Sequence, residues 1–213
     1  AIREINDEVI KITKQFGVKN IIHYGGPGIT QNGEPIDNFN KYKDLNEKLK
    51  SENLNLVGVE SGFFIDPFYW DVVTAGPKRD ELIEDLISQI RDMARAGVQM
   101  LGYTWMPLGP IRTEPKIIRG GSYGTAFDIK SNNLELAGKN SIKIEHSNSF
   151  PINDINFLTE EMLWQNLEYW IKAVTPVAEE EGIRLGIHPD DPPVDNLGGV
   201  PRIMTSFDAF KRL

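Results

Sequence analysis

Two patterns of hydrophobic and polar positions alternate along the chain. Apolar residues spaced three or four apart predict amphipathic helices over 38–50, 78–96 and 159–181. Short, nearly continuous apolar runs predict strands that are buried on both faces, as in a parallel sheet. A helix that ends in Gly or Asn and passes at once into such a strand occurs four times: QFGVKNIIHYGG (15–26), SENLNLVGVES (51–61), RAGVQMLGYTWMP (95–107) and EEGIRLGIHPDD (180–191).

The residues at these four junctions suit a left-handed helix ending. Gly17, Gly97 and Gly182 tolerate a positive φ, and Asn53 is the tolerated substitute. Repeated helix and strand units predict a parallel sheet with right-handed crossovers, which both a doubly wound sheet and a (β/α)8 barrel satisfy. GGPG at 25–28 lacks the G-x-G-x-x-G spacing of dinucleotide-binding folds, which counts against the doubly wound alternative.

The predicted fold class is therefore α/β, and four parallel βα units would make half of a (β/α)8 barrel, a partial TIM barrel. We treat residues 1–213 as a single domain. The segment 108–157 is rich in Gly, Pro, Asn and Ser and predicts a long loop or flap, with a disordered insertion as the alternative. Half a barrel leaves two sheet edges and its inner face uncovered, so we expect a homo-oligomer.

Helices are predicted at both ends of the chain. A helix is predicted from Ala1, on the spacing of Ile2, Ile5, Val9 and Ile12. The final TSFDAFKRL predicts a short capped helix. A chain that starts in one helix and stops in another looks like a fragment.

Composition narrows the function classes. A net charge of -8 argues against nucleic acid or an anionic membrane surface as the main partner. The chain has no cysteine, so it contains neither a disulfide framework nor a thiol nucleophile. No apolar run approaches the roughly 20 residues that a membrane helix needs, and no signal-peptide pattern opens the chain. A cytoplasmic protein that acts on a small molecule is the default expectation.

Candidate chemistry lies at the strand ends, because βα proteins carry their sites at the carboxyl ends of the strands. The candidates are His188 for a metal, Asp190 for catalysis, and His23, Glu60, Tyr103 and Arg112 for substrate binding.

The stretch GIHPDDPP (186–193) holds the strongest of these candidates. Neutral imidazole is a common transition-metal ligand, and His188 ends an apolar run. Asp190 or Asp191 would fix its tautomer, act as a second ligand or serve as a general base. The three prolines stiffen the backbone around them. The alternative is a strand-to-loop junction, with the histidine satisfied by backbone and the aspartates solvated.

The remaining candidates have similar alternatives. Glu60 suits a sugar hydroxyl or a general base, and equally a salt bridge at the rim. Arg112 suits a carboxylate clamp with two parallel hydrogen bonds, and equally a solvated loop. Tyr103 either lines a substrate pocket or packs in the core.

Several of these stretches together resemble the mannonate dehydratases. The specific part is HPDDPP followed by G-x-PRI, within residues 171–210. Weaker similarity extends upstream through GVESG, GYTWMP, IRTEP and AFD at 126–128. The resemblance covers most of the chain and is most specific in the last forty residues.

The resemblance implies a TIM barrel of the xylose-isomerase-like kind. It implies dehydration of D-mannonate to 2-keto-3-deoxy-D-gluconate in hexuronate breakdown, with Mn²⁺ or Fe²⁺. His188 matches a family histidine that we assign to the metal. The family's other ligands, a Cys, a His and an Asp, belong to later strands, and the present residues would supply strands two to five.

Two departures from the family bear on the substrate. The family's first motif has two adjacent histidines followed by Ile-Pro, whereas this chain reads HYGG, and Thr104 stands where the family has an amide. Two other functions therefore remain open. One is a metal-dependent sugar isomerase or epimerase on the same barrel, and the other is a non-catalytic sugar-acid binding protein or degenerate barrel.

Overall fold

The computed structural model of the chain contains the four predicted helix-to-strand junctions. It describes residues 1–26, 30–31, 34–61, 64, 67–130, 155, 157–197 and 199–213. The helices are α1 (Asp7–Gln15), α2 (Asn38–Ser51), α3 (Trp70–Thr74), α4 (Arg79–Arg95), α5 (Glu160–Glu181) and α6 (Phe207–Arg212). Single turns of 3-10 helix occupy Pro67–Tyr69 and Arg119–Gly121. The predicted helices over 38–50, 78–96 and 159–181 are confirmed.

The four predicted strands form one parallel sheet. They are β1 (Asn20–Tyr24), β4 (Asn55–Ser61), β5 (Met100–Thr104) and β8 (Arg184–His188), in the order β1-β4-β5-β8. Two-stranded antiparallel pairs join β2 (Thr30–Gln31) to β3 (Glu34–Pro35), β6 (Thr113–Ile117) to β7 (Tyr123–Ala126), and β9 (Asn196–Leu197) to β10 (Val200–Pro201).

The order of the parallel strands follows the order of the chain. A doubly wound sheet reverses its strand order at a switch point, whereas a barrel adds each strand beside the preceding one. The sheet β1-β4-β5-β8 shows no reversal. The α/β fold with four βα units of a TIM-barrel type is therefore confirmed.

The left-handed junctions are present at each predicted residue. The φ angles are 68° at Gly17, 60° at Asn53, 82° at Gly97 and 70° at Gly182. In each case the following residue donates its backbone N–H to a carbonyl five residues back, as Ile183 does to Ala178 at 2.8 Å. These bonds satisfy carbonyls at the helix ends and turn the chain directly into the next strand.

The hydrophobic core lies between the sheet and the helices α2, α4 and α5. Its densest part is aromatic, where Phe64 packs edge-on against Trp105 at 4.6 Å and Tyr103 against Trp170 at 4.7 Å between ring centroids. All four side chains are fully buried. Trp170 belongs to α5, so this cluster clamps the longest helix to the carboxyl half of β5.

The start of the chain differs from its predicted helix. The first six residues are not helical, because Ile2 pairs in parallel with His23 on the free edge of β1. The Ile2 amide donates to the Ile22 carbonyl, and the Ile2 carbonyl accepts from Tyr24, both at 2.8 Å. The helix begins only at Asp7, where the Asn6 side chain accepts a hydrogen bond from the Val9 amide and caps it.

The predicted loop or flap over 108–157 is described only in part. Its first portion contains the antiparallel hairpin of β6 and β7. Residues 131–154 and 156 lie outside the described residues, so the prediction stays a prediction there. The capped helix predicted in TSFDAFKRL is confirmed as α6, whose first turn is capped by Ser206.

Replacing Gly182 by alanine tests the left-handed junctions. A Cβ at this position would meet nothing within 4 Å, so only backbone strain opposes the substitution. Gly182→Ala should lower the free energy of unfolding by about 1 kcal/mol in urea denaturation. The matched control is Asn53→Gly, which places glycine in the same backbone conformation and should change stability by less than about 0.5 kcal/mol. Equal losses in both variants would contradict this account.

Candidate functional site

The register of the sheet decides which strand-end residues meet. On β5, Thr104 is paired with His188 of β8. Gly102, two residues earlier on β5, is paired with Glu60 of β4. Alternate residues of a strand share a face, so Glu60, Thr104 and His188 lie on one face of the sheet at its carboxyl edge. We call this face, which the helices α2, α4 and α5 do not cover, the inner face.

The other two strand-end candidates lie on the opposite, helix-covered face. His23 is paired with Val59, and Tyr103 with Ser61. Val59 is fully buried, and the Tyr103 ring packs against Trp170. Burial raises the pKa of the Tyr103 hydroxyl, which is therefore neutral. The structure thus brings Glu60 and His188 together and separates both from His23 and Tyr103.

His188 presents one ring nitrogen for a ligand. Its Nδ1 lies 2.6 Å from the carbonyl oxygen of Pro189. A carbonyl only accepts, so Nδ1 carries a proton and donates it, and in the neutral imidazole this leaves the lone pair on Nε2. The side chain is exposed at the carboxyl edge. This is the arrangement in which protein histidines commonly bind a metal, with the second nitrogen fixed by a carbonyl.

Asp190, two residues after this histidine, lies in a buried hydrogen-bond network. One carboxylate oxygen accepts from the Met204 amide at 2.6 Å, and the other accepts from Arg202 at 3.4 Å. Burial raises the pKa of Asp190, while Arg202 and the Met204 amide act in the opposite direction. These contacts give Asp190 a structural task, and its predicted catalytic role stays a prediction.

Arg202 is the residue that sequence reasoning missed. Its guanidinium reaches the Gly109 carbonyl at 2.6 Å, the Asp191 carbonyl at 3.4 Å and the Asp190 carboxylate. The arginine and Asp190 side chains are only 3% and 1% exposed. Burial lowers the pKa of Arg202, and the neighbouring carboxylates oppose this. The only signal in the sequence was an arginine in the family-like PRI, without any indication of its partner.

Arg112 and Asp191 form a second arginine–carboxylate pair at the same edge. Arg112 Nη1 donates to Asp191 Oδ1 at 2.7 Å, and Nη2 donates to Oδ2, so the contact is bidentate. Nη1 also donates to the Ile111 carbonyl at 3.1 Å. Arg112, predicted from sequence to hold a carboxylate, is thus already held by one from its own chain.

Thr104 carries an unusual polar atom on the inner face. Its Oγ1 is buried and has no hydrogen-bond partner among the residues that the structure describes. The Trp105 Nε1, which follows directly, shares this property. Buried polar groups are normally paired, so this end of β5 is less well satisfied than the rest of the sheet.

The described residues offer candidate ligands for a metal but no complete set. Nowhere among them do three His, Asp or Glu side chains converge as a metal would require. Among the described residues at this edge, His188 presents an exposed ring nitrogen, Nε2, and Glu60 offers a carboxylate on the same face. The chemistry of these donors fits a divalent transition metal that takes further ligands from elsewhere.

Two further features lie away from the carboxyl edge. A surface cleft of about 420 Å³ runs along α1 and contains the ion pair of Lys14 with Glu52. The cleft shares no residue with the candidate site at the carboxyl edge. In the described part of the chain, no helix is long and apolar enough to cross a membrane.

Removing Asp190 tests the buried pair. Asp190→Ala leaves the Arg202 charge buried and uncompensated, so the free energy of unfolding should fall by about 3 kcal/mol or more. The matched control is Glu168→Gln, which breaks the exposed pair with Lys172 and should cost less than about 0.5 kcal/mol. Urea denaturation of both variants measures the difference, and a loss in Asp190→Ala no larger than in the control would contradict it.

The pH dependence of stability tests His23. Its Nδ1 donates to the Ile2 carbonyl at 3.0 Å, and its Nε2 faces Gly25, where a Cβ would approach to 2.4 Å. Burial lowers the pKa of His23 in the folded state, and Lys41 adds to this. As the pH falls through the unfolded pKa of about 6.5, His23 therefore takes up a proton in the unfolded chain before it does so in the folded chain. The free energy of unfolding consequently falls as the pH falls. His23→Gln should show a smaller loss of unfolding free energy between pH 7 and pH 5, and an equal loss would refute the assignment.

Comparison with known proteins identifies the family. A sequence model described as D-mannonate dehydratase (UxuA) matches residues 6–213. The mannonate dehydratase of Streptococcus pneumoniae (strain 70585) is 34% identical over 189 residues, which cover 84% of this chain and 50% of that protein. The mannonate dehydratase of Streptococcus suis (strain 05ZYH33) is 33% identical with the same coverage. The chain spans about half the length of these curated relatives.

A solved structure agrees with the sequence comparison. The crystal structure of mannonate dehydratase from Streptococcus suis serotype 2 superposes with a TM-score of 0.74 and 30% sequence identity. The match covers 96% of this chain and 55% of that chain. The resemblance inferred from HPDDPP and the following PRI is confirmed, and the chain belongs to the D-mannonate dehydratase (UxuA) family.

Proposed function

We propose that the complete gene product is a metal-dependent sugar-acid dehydratase that converts D-mannonate to 2-keto-3-deoxy-D-gluconate and water in hexuronate catabolism. The relatives that carry the name mannonate dehydratase are about twice as long as the matched region, so the activity belongs to the whole protein. The observation that carries the proposal is the contact of His188 Nδ1 with the Pro189 carbonyl, which leaves Nε2 available to a ligand at the carboxyl edge of the sheet. Arg112 is bound to Asp191 in the loop that follows the same strand.

The reaction makes three demands on a site. The weakly acidic proton next to the substrate carboxylate must be removed, and the negative charge that develops must be stabilised. The departing 3-hydroxyl must receive a proton. A divalent metal, which we propose to be Mn²⁺ or Fe²⁺, would supply positive charge for the substrate oxygens.

The described residues meet part of these demands. His188 would hold the metal through Nε2. Arg112 would bind the carboxylate of the sugar acid and stabilise the charge that develops beside it. Glu60 shares the inner face with His188 and would bind a sugar hydroxyl. Asp190 remains a proposed catalytic residue, and its hydrogen bonds to Arg202 and Met204 fix its position two residues after His188.

His23 and Tyr103 have a different position in this proposal. Both lie on the helix-covered face, so their contribution to substrate binding would come through the strand ends that they support. His23 packs against Gly25 at the end of β1, and Tyr103 anchors the end of β5 on Trp170. The proposed partner is a small-molecule sugar acid, not nucleic acid or a membrane, and we propose a cytoplasmic homo-oligomer.

An assay on the complete gene product tests the proposal. The protein is incubated with D-mannonate and Mn²⁺, with and without EDTA, and the 2-keto-3-deoxy acid is measured. We expect metal-dependent product, and His188→Ala should reduce both bound metal and turnover by at least about 100-fold. The matched control is His23→Gln on the opposite face, which should retain the metal.

Each other outcome has a defined meaning. An isomer of unchanged mass would replace the dehydratase with a sugar isomerase or epimerase. Ligand binding without turnover would indicate a non-catalytic sugar-acid binding protein. Retention of the metal in His188→Ala would remove His188 from the metal site.

A further inference from the structure

The carboxyl edge holds two arginine–carboxylate pairs that differ in exposure. The pair of Arg202 and Asp190 is closed to solvent, whereas the Arg112 and Asp191 side chains are 36% and 32% exposed. The exposed pair is therefore the one that an incoming ligand can reach.

The hydrogen bonds of Arg112 leave one edge of its guanidinium open. Both Nη1 hydrogens are used, one by Asp191 and one by the Ile111 carbonyl, and one Nη2 hydrogen goes to Asp191. The Nε–H and the second Nη2–H form the other edge of the fork, and no described residue accepts from them. This edge has the geometry to bind a second carboxylate with two parallel bonds.

Asp191 is itself fixed by its backbone. Its carbonyl accepts from the Ile111 amide at 3.3 Å and from Arg202 at 3.4 Å. Its amide faces the Met106 sulfur at 3.2 Å. A carboxylate held in this way sets the plane of the guanidinium that it binds, so Arg112 does not have to be ordered when a ligand arrives.

We infer that Asp191 is a positioning residue that orients Arg112, so that its Nε and Nη2 receive the carboxylate of a sugar acid. This inference rests on the proposed function and specifies its substrate class. Aldonates gain a bidentate ion pair at Arg112, whereas neutral sugars and sugar alcohols do not. The pair thereby selects acids over neutral carbohydrates.

An arrangement in which Asp191 competes with the substrate predicts the opposite change in aldonate binding. If Asp191 competed with the substrate for the same edge of Arg112, removing its charge would strengthen aldonate binding. If Asp191 orients Arg112, removing its charge weakens aldonate binding. The sign of the effect therefore separates the two.

The test uses the complete gene product with bound Mn²⁺ and the variants Asp191→Asn and Arg112→Lys. Asp191→Asn is isosteric and preserves the backbone contacts, and thermal unfolding verifies the fold. We expect each variant to raise the KM for D-mannonate about tenfold or more, with a smaller change in kcat. Binding of D-mannitol, the neutral counterpart, should not change.

The double variant distinguishes a positioning role of Asp191 from a purely structural one. If Asp191 acts through Arg112, adding Asp191→Asn to Arg112→Lys should raise KM no further. Additive effects would overturn the inference, and so would an unchanged or lower KM in Asp191→Asn.

D-gluconate distinguishes failure of this inference from failure of the proposed function. If the protein does not act on D-mannonate but binds D-gluconate, and Asp191→Asn weakens that binding about tenfold, the inference stands and the proposed substrate fails. If D-mannonate is dehydrated and Asp191→Asn leaves its KM unchanged, the inference fails and the proposed function stands. Absence of binding to either acid would overturn both.

Discussion

The buried ion pair of Asp190 and Arg202 is the interaction on which the carboxyl edge depends. Removing two charges from water is costly, and the further hydrogen bonds of both side chains offset part of that cost. Arg202 reaches the Gly109 carbonyl after β5, and Asp190 accepts from Met204 beyond β10. These contacts hold together the segments that follow β5, β8 and β10, and His188 lies two residues before Asp190.

The charged groups are ordered by depth. The buried pair of Asp190 and Arg202 fixes the backbone of the loop after β8. The partly exposed pair of Asp191 and Arg112 forms on that backbone. Preorganisation of this kind matters for a site that binds an anion, because a flexible arginine loses conformational freedom on binding. The fully buried pair gives rigidity, and the partly exposed pair is the one that we propose to offer hydrogen-bond donors to a ligand.

Local backbone rules made much of the fold predictable from sequence. The left-handed conformation at Gly17, Asn53 and Gly182 depends on the residue itself and on the helix before it, so the pattern alone locates the junctions. The strand ends follow from these junctions. Ile2 is the exception, because its spacing suits a helix while the unpaired edge of β1 offers it backbone hydrogen bonds.

The sheet face on which a side chain lies, and the residue that it contacts, could not be predicted from the sequence. The pairing of β1 with β4 shifts between Ile21 and Ile22, and this irregularity sets the face on which His23 lies. No local pattern reveals such a shift, so His23 and Glu60 looked equivalent as strand-end residues. The partner of Asp190 was equally hidden, because Arg202 meets it only through the path of the chain after β8.

The inner face also bears on the two departures from the mannonate dehydratase pattern that the sequence resemblance implies. Tyr24 stands where the family has a second histidine, and its register partner is Glu60. Thr104 stands where the family has an amide, and its register partner is His188. Both substitutions therefore lie on the face that holds the proposed ligands of metal and sugar. A hydroxyl offers one donor where an amide offers two, so the hydrogen bonds available to a sugar differ here. The departures consequently bear on which sugar acid would fit, while His188 and Arg112 keep the groups that we propose for the metal and the carboxylate.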